Sequence, residues 1–190
     1  VQMAYQSNGN METFYSLLDE NLESAKEVLL HRFRTLCEKG MFEEYYDKRY
    51  YLDSDKHHAF EMLKNGTLAI GFIGLWDAIG TIVGEEIETP SIINRYYKMA
   101  FGVIEHMRDY TDRITQEEML NFSLLATAAE GVTGNFAQFD NENMGKNFKA
   151  CKKGYYTNSF HVPVAMELNY KEKIDLEGRF HCLCNGGSIT

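Results

Sequence analysis

At 190 residues the chain is long enough for one domain with a buried core, and its 44% hydrophobic content is ordinary for a globular protein. A net charge of -9 argues against a nucleic-acid-binding face, which needs clustered cations to neutralise phosphates. No apolar run approaches the roughly 20 residues of a membrane-spanning helix, and residues 68–75, the best candidate, are too few.

In chain order, the opening Val1-Gln2-Met3-Ala4 has neither a charged n-region nor an apolar h-region, so no secretory signal is expected there. From 12 to 39, Phe14, Leu17, Leu18, Leu22, Ala25, Val28, Leu29, Phe33 and Leu36 recur at three-to-four spacing, which predicts a long amphipathic helix. Asn10 can cap its start and Gly40 its end. Residues 41–53, dense in tyrosine and charge, read as a connector with room for a short strand. Residues 56–65 carry a short helical pattern, and His57-His58 within it reads as a surface pair.

The glycine-bounded apolar run Thr67-Leu68-Ala69-Ile70-Gly71-Phe72-Ile73 predicts a buried strand, and Gly74 to Gly80 turn from it into a helix. The carboxylates Glu85, Glu86 and Glu88 read as a solvated charge run. Pro90 or Ser91 opens a second long helix with Ile92, Ile93, Tyr96, Tyr97, Ala100, Val103, Ile104, Met107 and Tyr110 on its apolar face. Thr115-Gln116-Glu117-Glu118 reads as a turn or a new helix start. Phe122-Ser123-Leu124-Leu125-Ala126 is a second buried strand. It opens into Thr127-Ala128-Ala129-Glu130-Gly131 and a helix ending before Asn141. Residues 140–154 read as a surface loop, 155–164 as a strand, 167–172 as a short helix and 179–183 as a last strand. The alternation implies parallel strands joined by crossover helices, in one domain over 1–190.

In such layouts ligands bind beyond the carboxyl ends of strands, and three strand ends here carry unusual residues: Gly71 to Asp77, Thr127 to Gly131, and Thr157 to His161. A threonine at a strand end with a helix starting behind it, as at Thr127, offers a hydroxyl and free backbone N–H groups to an anion such as phosphate. The same spacing fits a plain capping box, Thr127 with Glu130 at N3. In Thr157-Asn158-Ser159-Phe160-His161, period two places Thr157, Ser159 and His161 on one face and Asn158 with Phe160 on the other, which fits a cavity wall or a solvated edge strand. Cys37, Cys151, Cys182 and Cys184 lack the paired Cys-x-x-Cys sets of a zinc knuckle and read as reduced cytosolic thiols. There is no P-loop and no Gly-x-Ser-x-Gly elbow.

Several separated segments, in matching order and spacing, resemble the anaerobic, glycyl-radical ribonucleoside-triphosphate reductases. Ile70-Gly71-Phe72-Ile73-Gly74-Leu75-Trp76 resembles the family's glycine-punctuated barrel strand. Phe122 to Gly131 resembles its ATPAEG segment, with Ala128 where the family usually has proline. Lys153-Gly154-Tyr155-Tyr156-Thr157-Asn158-Ser159-Phe160-His161-Val162-Pro163-Val164 is very close. His181-Cys182-Leu183-Cys184-Asn185-Gly186-Gly187-Ser188-Ile189 matches the final strand, though many members carry histidine where Ser188 stands.

The resemblance implies an α/β fold, a helix-rich half of a ten-stranded barrel of the glycyl-radical enzyme type. Val1 in place of an initiator methionine, and Thr190 directly after a glycine turn, fit a chain cut at both ends. The implied parent, a cytoplasmic homodimer, reduces ribonucleoside triphosphates to deoxyribonucleotides for DNA replication. A glycyl radical, installed by an iron–sulfur, S-adenosylmethionine-dependent activase, passes to a finger-loop cysteine. Formate or a thiol system supplies the electrons, zinc is held near the C-terminus, and nucleotide effectors act at separate sites. The finger-loop Gly-Cys-Arg and the Arg-Val-Cys-Gly-Tyr radical loop do not occur in this sequence, so no cysteine here inherits the thiyl role and no cofactor is assigned to the chain.

What carries over is the barrel wall. Thr127, Ala128, Glu130 and Gly131 are the expected triphosphate or ribose contacts, and Asn158, Ser159 and His161 line or support the cavity. The implied partners are the rest of the reductase chain, the activase and the nucleotide substrate. Unpaired strand edges predict dimerisation or strand pairing of the isolated piece. Two other readings stay open: a non-catalytic nucleotide- or partner-binding half-barrel, and a glycyl-radical enzyme of the pyruvate formate-lyase type, against which the Tyr156-to-His161 run argues.

Overall fold

A computed structural model describes residues 1–40, 58–126, 128–144, 150 and 152–187. The predicted connector 41–53, His57, the side chain of His58, Thr127 and Cys151 lie outside the described residues. In chain order the elements are α1 (Gln2–Gln6), α2 (Met11–Glu38), α3 (His58–Leu63), β1 (Thr67–Gly71), α4 (Leu75–Val83), α5 (Pro90–Glu118), β2 (Asn121–Ala126), α6 (Glu130–Asn143), α7 (Tyr170–His181) and β3 (Gly186–Gly187).

The long helices form where the apolar spacing puts them. Asn10 Oδ1 accepts from Thr13 N at 3.0 Å and starts α2, which buries Phe14, Leu18, Leu22, Leu30 and Phe33. Gly40 takes φ +60 just past its C-cap. Thr89 caps α5, and Pro90, with no N–H to satisfy, fills its first turn. Residues 115–118 are the last turn of α5 rather than a separate start. Tyr110, Thr111 and Ile114 extend the buried stripe, the pairs Arg108–Asp112 and Arg113–Glu117 brace the outer face, and Met119 ends the helix in the left-handed region.

α2 and α5 meet through polar as well as apolar contacts. His106 Nε2 lies 2.6 Å from Asp19 Oδ1, and the Tyr110 hydroxyl donates to Glu23 Oε2 at 2.8 Å. Burial, reinforced by that bond, raises the Tyr110 pKa, while Lys26 and then Tyr110 hold Glu23 below its ordinary value.

The three strands are parallel, in the order β1-β2-β3, as the alternation required. β2 is central, with Phe122, Leu124 and Ala126 buried, and α5 packs against it. The last pairing depends on a side chain and two glycines. Asn185 N donates to Leu124 O at 2.8 Å while Asn185 Oδ1 accepts from Leu124 N at 3.0 Å. A Cβ on Gly187 would stand 2.5 Å from the Ala126 carbonyl oxygen, and one on Gly186 would stand 3.0 Å from Leu125.

Four expectations in the last third need correction. Residues 155–164 are not a strand, because Ser159 takes φ +42 and His161 N closes a turn on Asn158 O at 2.8 Å. Extended pairing is confined to an antiparallel bridge between Ile73 and Asn158. The short helix expected at 167–172 starts later and runs on to His181, because the Asn169–Glu172 capping box opens it and Leu176, Glu177 and Phe180 give it a buried face. Residues 179–183 are therefore the end of α7 and its exit turn, and the strand lies at Gly186–Gly187. The loop expected from 140 begins only after α6 ends at Asn143.

Gly187→Ala should lower stability by about 1–3 kcal/mol, since its methyl meets a fixed carbonyl. Gly84→Ala, strained only by φ +70 with open space around it, should cost about 1 kcal/mol. Urea unfolding of the two variants checks the order.

Candidate functional site: three carboxylates converging on one segment

The most constrained part of the molecule is the stretch from Lys153 to Val162. It leans on the start of α4. Gly74 N donates to Thr157 O at 2.7 Å, and Leu75 N donates to Ser159 O at 3.2 Å. These bonds supply acceptors that a helix N-terminus lacks within itself. Gly74 has φ +72, and a Cβ there would come within 3.4 Å of Tyr156 Cβ.

Three carboxylates from three helices then hold the side chains and amides of this stretch. Asp77 of α4, 7% exposed, accepts at Oδ2 from Thr157 N at 2.7 Å and Thr157 Oγ1 at 2.8 Å, and at Oδ1 from Lys153 Nζ at 2.6 Å. Asp140 of α6, buried, accepts from the Tyr156 hydroxyl at 2.6 Å and from Gln2. Glu177 of α7, buried, accepts from Val162 N at 2.9 Å, and its other oxygen lies 3.1 Å from His161 Nδ1. A carboxylate can only accept, so it selects the tautomer with the proton on Nδ1. His161 Nε2 is then a buried lone pair with no partner among the described residues. Trp76 adds a fourth tie, its indole N–H donating to Phe160 O at 2.8 Å. Phe160 itself stacks on Phe180 at 5.3 Å between ring centroids.

The expected site residues divide. Ala128 is half-buried just past β2, Glu130 is exposed as the first residue of α6, and Gly131 is exposed with open space around it. Thr127 lies outside the described residues. The N-cap of α6 is Ala129, with no side-chain cap bond, so Glu130 stands at N1 and the capping-box spacing does not apply. Asn158 joins the two predicted segments: its Oδ1 accepts from Ala129 N at 3.0 Å, and its Nδ2 donates to Glu130 Oε1 at 3.4 Å. Ser159 and His161 are buried behind it, supporting the segment rather than lining an open surface. The expected division of faces is replaced by burial of Thr157, Ser159, Phe160 and His161 alike.

Asp140 and Glu177 were not among the expected residues, and Asp77 stood only as the last residue of the strand end 71–77, with no role assigned to it. Glu177 carried a signal in hindsight, three positions before Phe180 on the same helical face. Asp77 looked like an ordinary first-turn acid. The carboxylates Glu85, Glu86 and Glu88 do line a cavity of about 790 Å³ beside this stretch, together with Trp76, Asp77 and Lys153. Glu85 is not simply solvated, since it holds Arg95 and the Tyr96 hydroxyl. None of Ala128, Glu130, Gly131, Asn158, Ser159 or His161 lines that cavity.

The sheet is parallel, its central strand runs toward the start of α6, and in α/β sheets of this kind ligands tend to bind beyond the carboxyl ends of the strands. The family model described as anaerobic ribonucleoside-triphosphate reductase matches residues 1–190, and the chain belongs to that family. It is 30% identical over 199 residues to the anaerobic ribonucleoside-triphosphate reductase of Escherichia coli (strain K12), covering 99% of this chain and 27% of the relative. It is 30% identical over 195 residues to the enzyme of the same name from Enterobacteria phage T4, covering 95% of this chain and 29% of the relative. The match to the Haemophilus influenzae protein is 28% over 191 residues. The chain thus spans little more than a quarter of the length of these relatives. Among the described residues no helix is long and apolar enough to cross a membrane.

Glu177→Ala should cost roughly 3 kcal/mol, because it strands a buried amide and a buried imidazole N–H, and Glu177→Gln should cost less. Denaturant unfolding reads both. Cys184, whose pKa burial pushes up to about 11, should hold about 100-fold less thiolate at pH 8 than a thiol at the ordinary value of 9.0. Mass spectrometry after iodoacetamide treatment should find the exposed Cys182 modified before Cys184.

Proposed function

We propose that this chain is a wall of the catalytic barrel in an anaerobic ribonucleotide reductase, an oxidoreductase that converts ribonucleoside triphosphates to deoxyribonucleoside triphosphates by glycyl- and thiyl-radical chemistry. The observation that carries the site assignment is the Asn158–Ala129 bond, which brings together two segments singled out separately in the sequence. Around it, the first-turn amides of α6 face outward without intrahelical acceptors and suit a phosphate. The Glu130 carboxylate accepts, and suits ribose hydroxyls better than phosphate. Ala128 adjoins this surface, and Thr127 is assigned to it from the sequence alone. Ser159 and His161 keep Asn158 in place.

In this reading the three strands are part of a ten-stranded barrel that the rest of the reductase chain completes. The radical glycine, the thiyl cysteine, the zinc site and the effector sites reside on those other segments. The activase, the formate or thiol reductant, the homodimer partner and a cytoplasmic setting belong to the assembled enzyme. The 190-residue chain by itself positions substrate and performs no turnover.

Calorimetry of the chain with CTP and ATP should give micromolar affinity, weakened about tenfold by Asn158→Ala, the loss expected for one hydrogen-bonded anchor. Thr127→Val, placed in a reductase chain that carries this segment, should raise the apparent KM. Absence of binding heat, together with unchanged KM in Thr127→Val, would sink the substrate assignment.

A further inference from the structure

Asp77 lies in the first turn of α4, and Glu130 and Gly131 open α6. No bond between the two helix starts is seen among the described residues. They are joined through two consecutive residues. Asp77 grips Thr157 by both its amide and its hydroxyl, and Asn158, the next residue, grips the Ala129 amide and reaches Glu130. The backbone between these grips has little freedom. The carbonyls of Thr157 and Ser159 are committed to Gly74 N and Leu75 N, Asn158 bridges to Ile73, and Ser159 is held at positive φ. Lys153 on Oδ1 leaves Oδ2 for Thr157 alone, so the carboxylate's two oxygens do separate work.

We propose that Asp77 is the positioning residue of the substrate-facing end of α6: through Thr157 it fixes Asn158, and through Asn158 it sets where the first amides of α6 point. This rests on the reading of the α6 start as the substrate-facing surface. Asp77 touches no substrate in this scheme. It acts at a distance of two residues, by denying the Thr157–Asn158 pair any other arrangement.

Amide hydrogen exchange of the 190-residue chain, read by NMR, tests it. Asp77→Asn keeps the shape but weakens the acceptor and loses Lys153. It should speed exchange of the Ala129 amide about tenfold, the size expected for loss of a charge-assisted bond. Thr157→Val, which removes one of the two bonds and none of the charge, should speed it about threefold. Amides in the middle of α5, such as that of Ile104, should exchange unchanged. The discriminating measurement is the cycle with Asn158→Ala. If Asp77 acts through Asn158, then in the Asn158→Ala background Asp77→Asn should add nothing further at Ala129. Equal acceleration in both backgrounds, or acceleration spread evenly over α5, would overturn the proposal and leave Asp77 a general stabiliser. Titration with sodium tripolyphosphate serves as a separate arm. It should shift the Glu130 and Gly131 amides in the unaltered chain and do so about tenfold more weakly in Asp77→Asn. A chain that binds no tripolyphosphate would sink the substrate reading alone, because the exchange cycle decides the role of Asp77 without any ligand.

Discussion

The start of a helix leaves backbone N–H groups that no residue within it can satisfy, and in this protein the acceptors for α4 come from residues more than eighty positions later. Much else follows from that debt. Because Thr157 and Ser159 give their carbonyls to Gly74 and Leu75, the stretch around them cannot lie in the sheet as a strand. Because it is not a strand, its side chains are not divided between two faces, and Thr157, Ser159, Phe160 and His161 all turn into the protein. Asn158, only partly buried, is left to reach outward to the start of α6.

Holding a non-repetitive segment in one shape takes directional bonds, since apolar packing alone tolerates small slips. Burying carboxylates to make those bonds is costly in desolvation, and they persist where each is well satisfied. Asp77, Asp140 and Glu177 each accept at both oxygens, and each serves the same ten-odd residues from a different helix. The arrangement favours one conformation over its neighbours more than it adds stability. That suits a surface meant to present a few polar atoms in fixed positions.

The parts of the fold legible in the sequence were those governed by local pattern. Residues 67–73 and 122–126 read as strands because short apolar runs bounded by glycine or polar residues leave few alternatives, and the structure has strands at Thr67–Gly71 and Asn121–Ala126. The periodic stripe of α2 and its Asn10 cap gave that helix to within a residue at either end. The family, too, was readable, from motifs spread along the chain and matched over all 190 residues. What stayed illegible depended on tertiary acceptors. Residues 155–164 have the composition of a strand, and nothing local announces that their carbonyls are wanted elsewhere. Asp77 and Glu177 resemble ordinary helix acids until the segment folds between them. The Asn158 side chain was singled out with its polar neighbours, but its partner at Ala129 could not be named without the fold.

Helix α6 shows what this scheme means for motion. It has little contact with the other described helices and strands, its buried face is the modest set Thr133, Ala137 and Asp140, and Val132, Phe136 and Phe139 face outward. Gly131 and Gly134 weaken it further. Two of its anchors, Tyr156 on Asp140 and Asn158 on Ala129, come from the held segment, and Gln2 of α1 supplies another at Asp140. The position of the helix therefore depends on the 156–162 stretch, and a substitution that loosens that stretch should loosen α6 before it disturbs α2, α5 or the sheet.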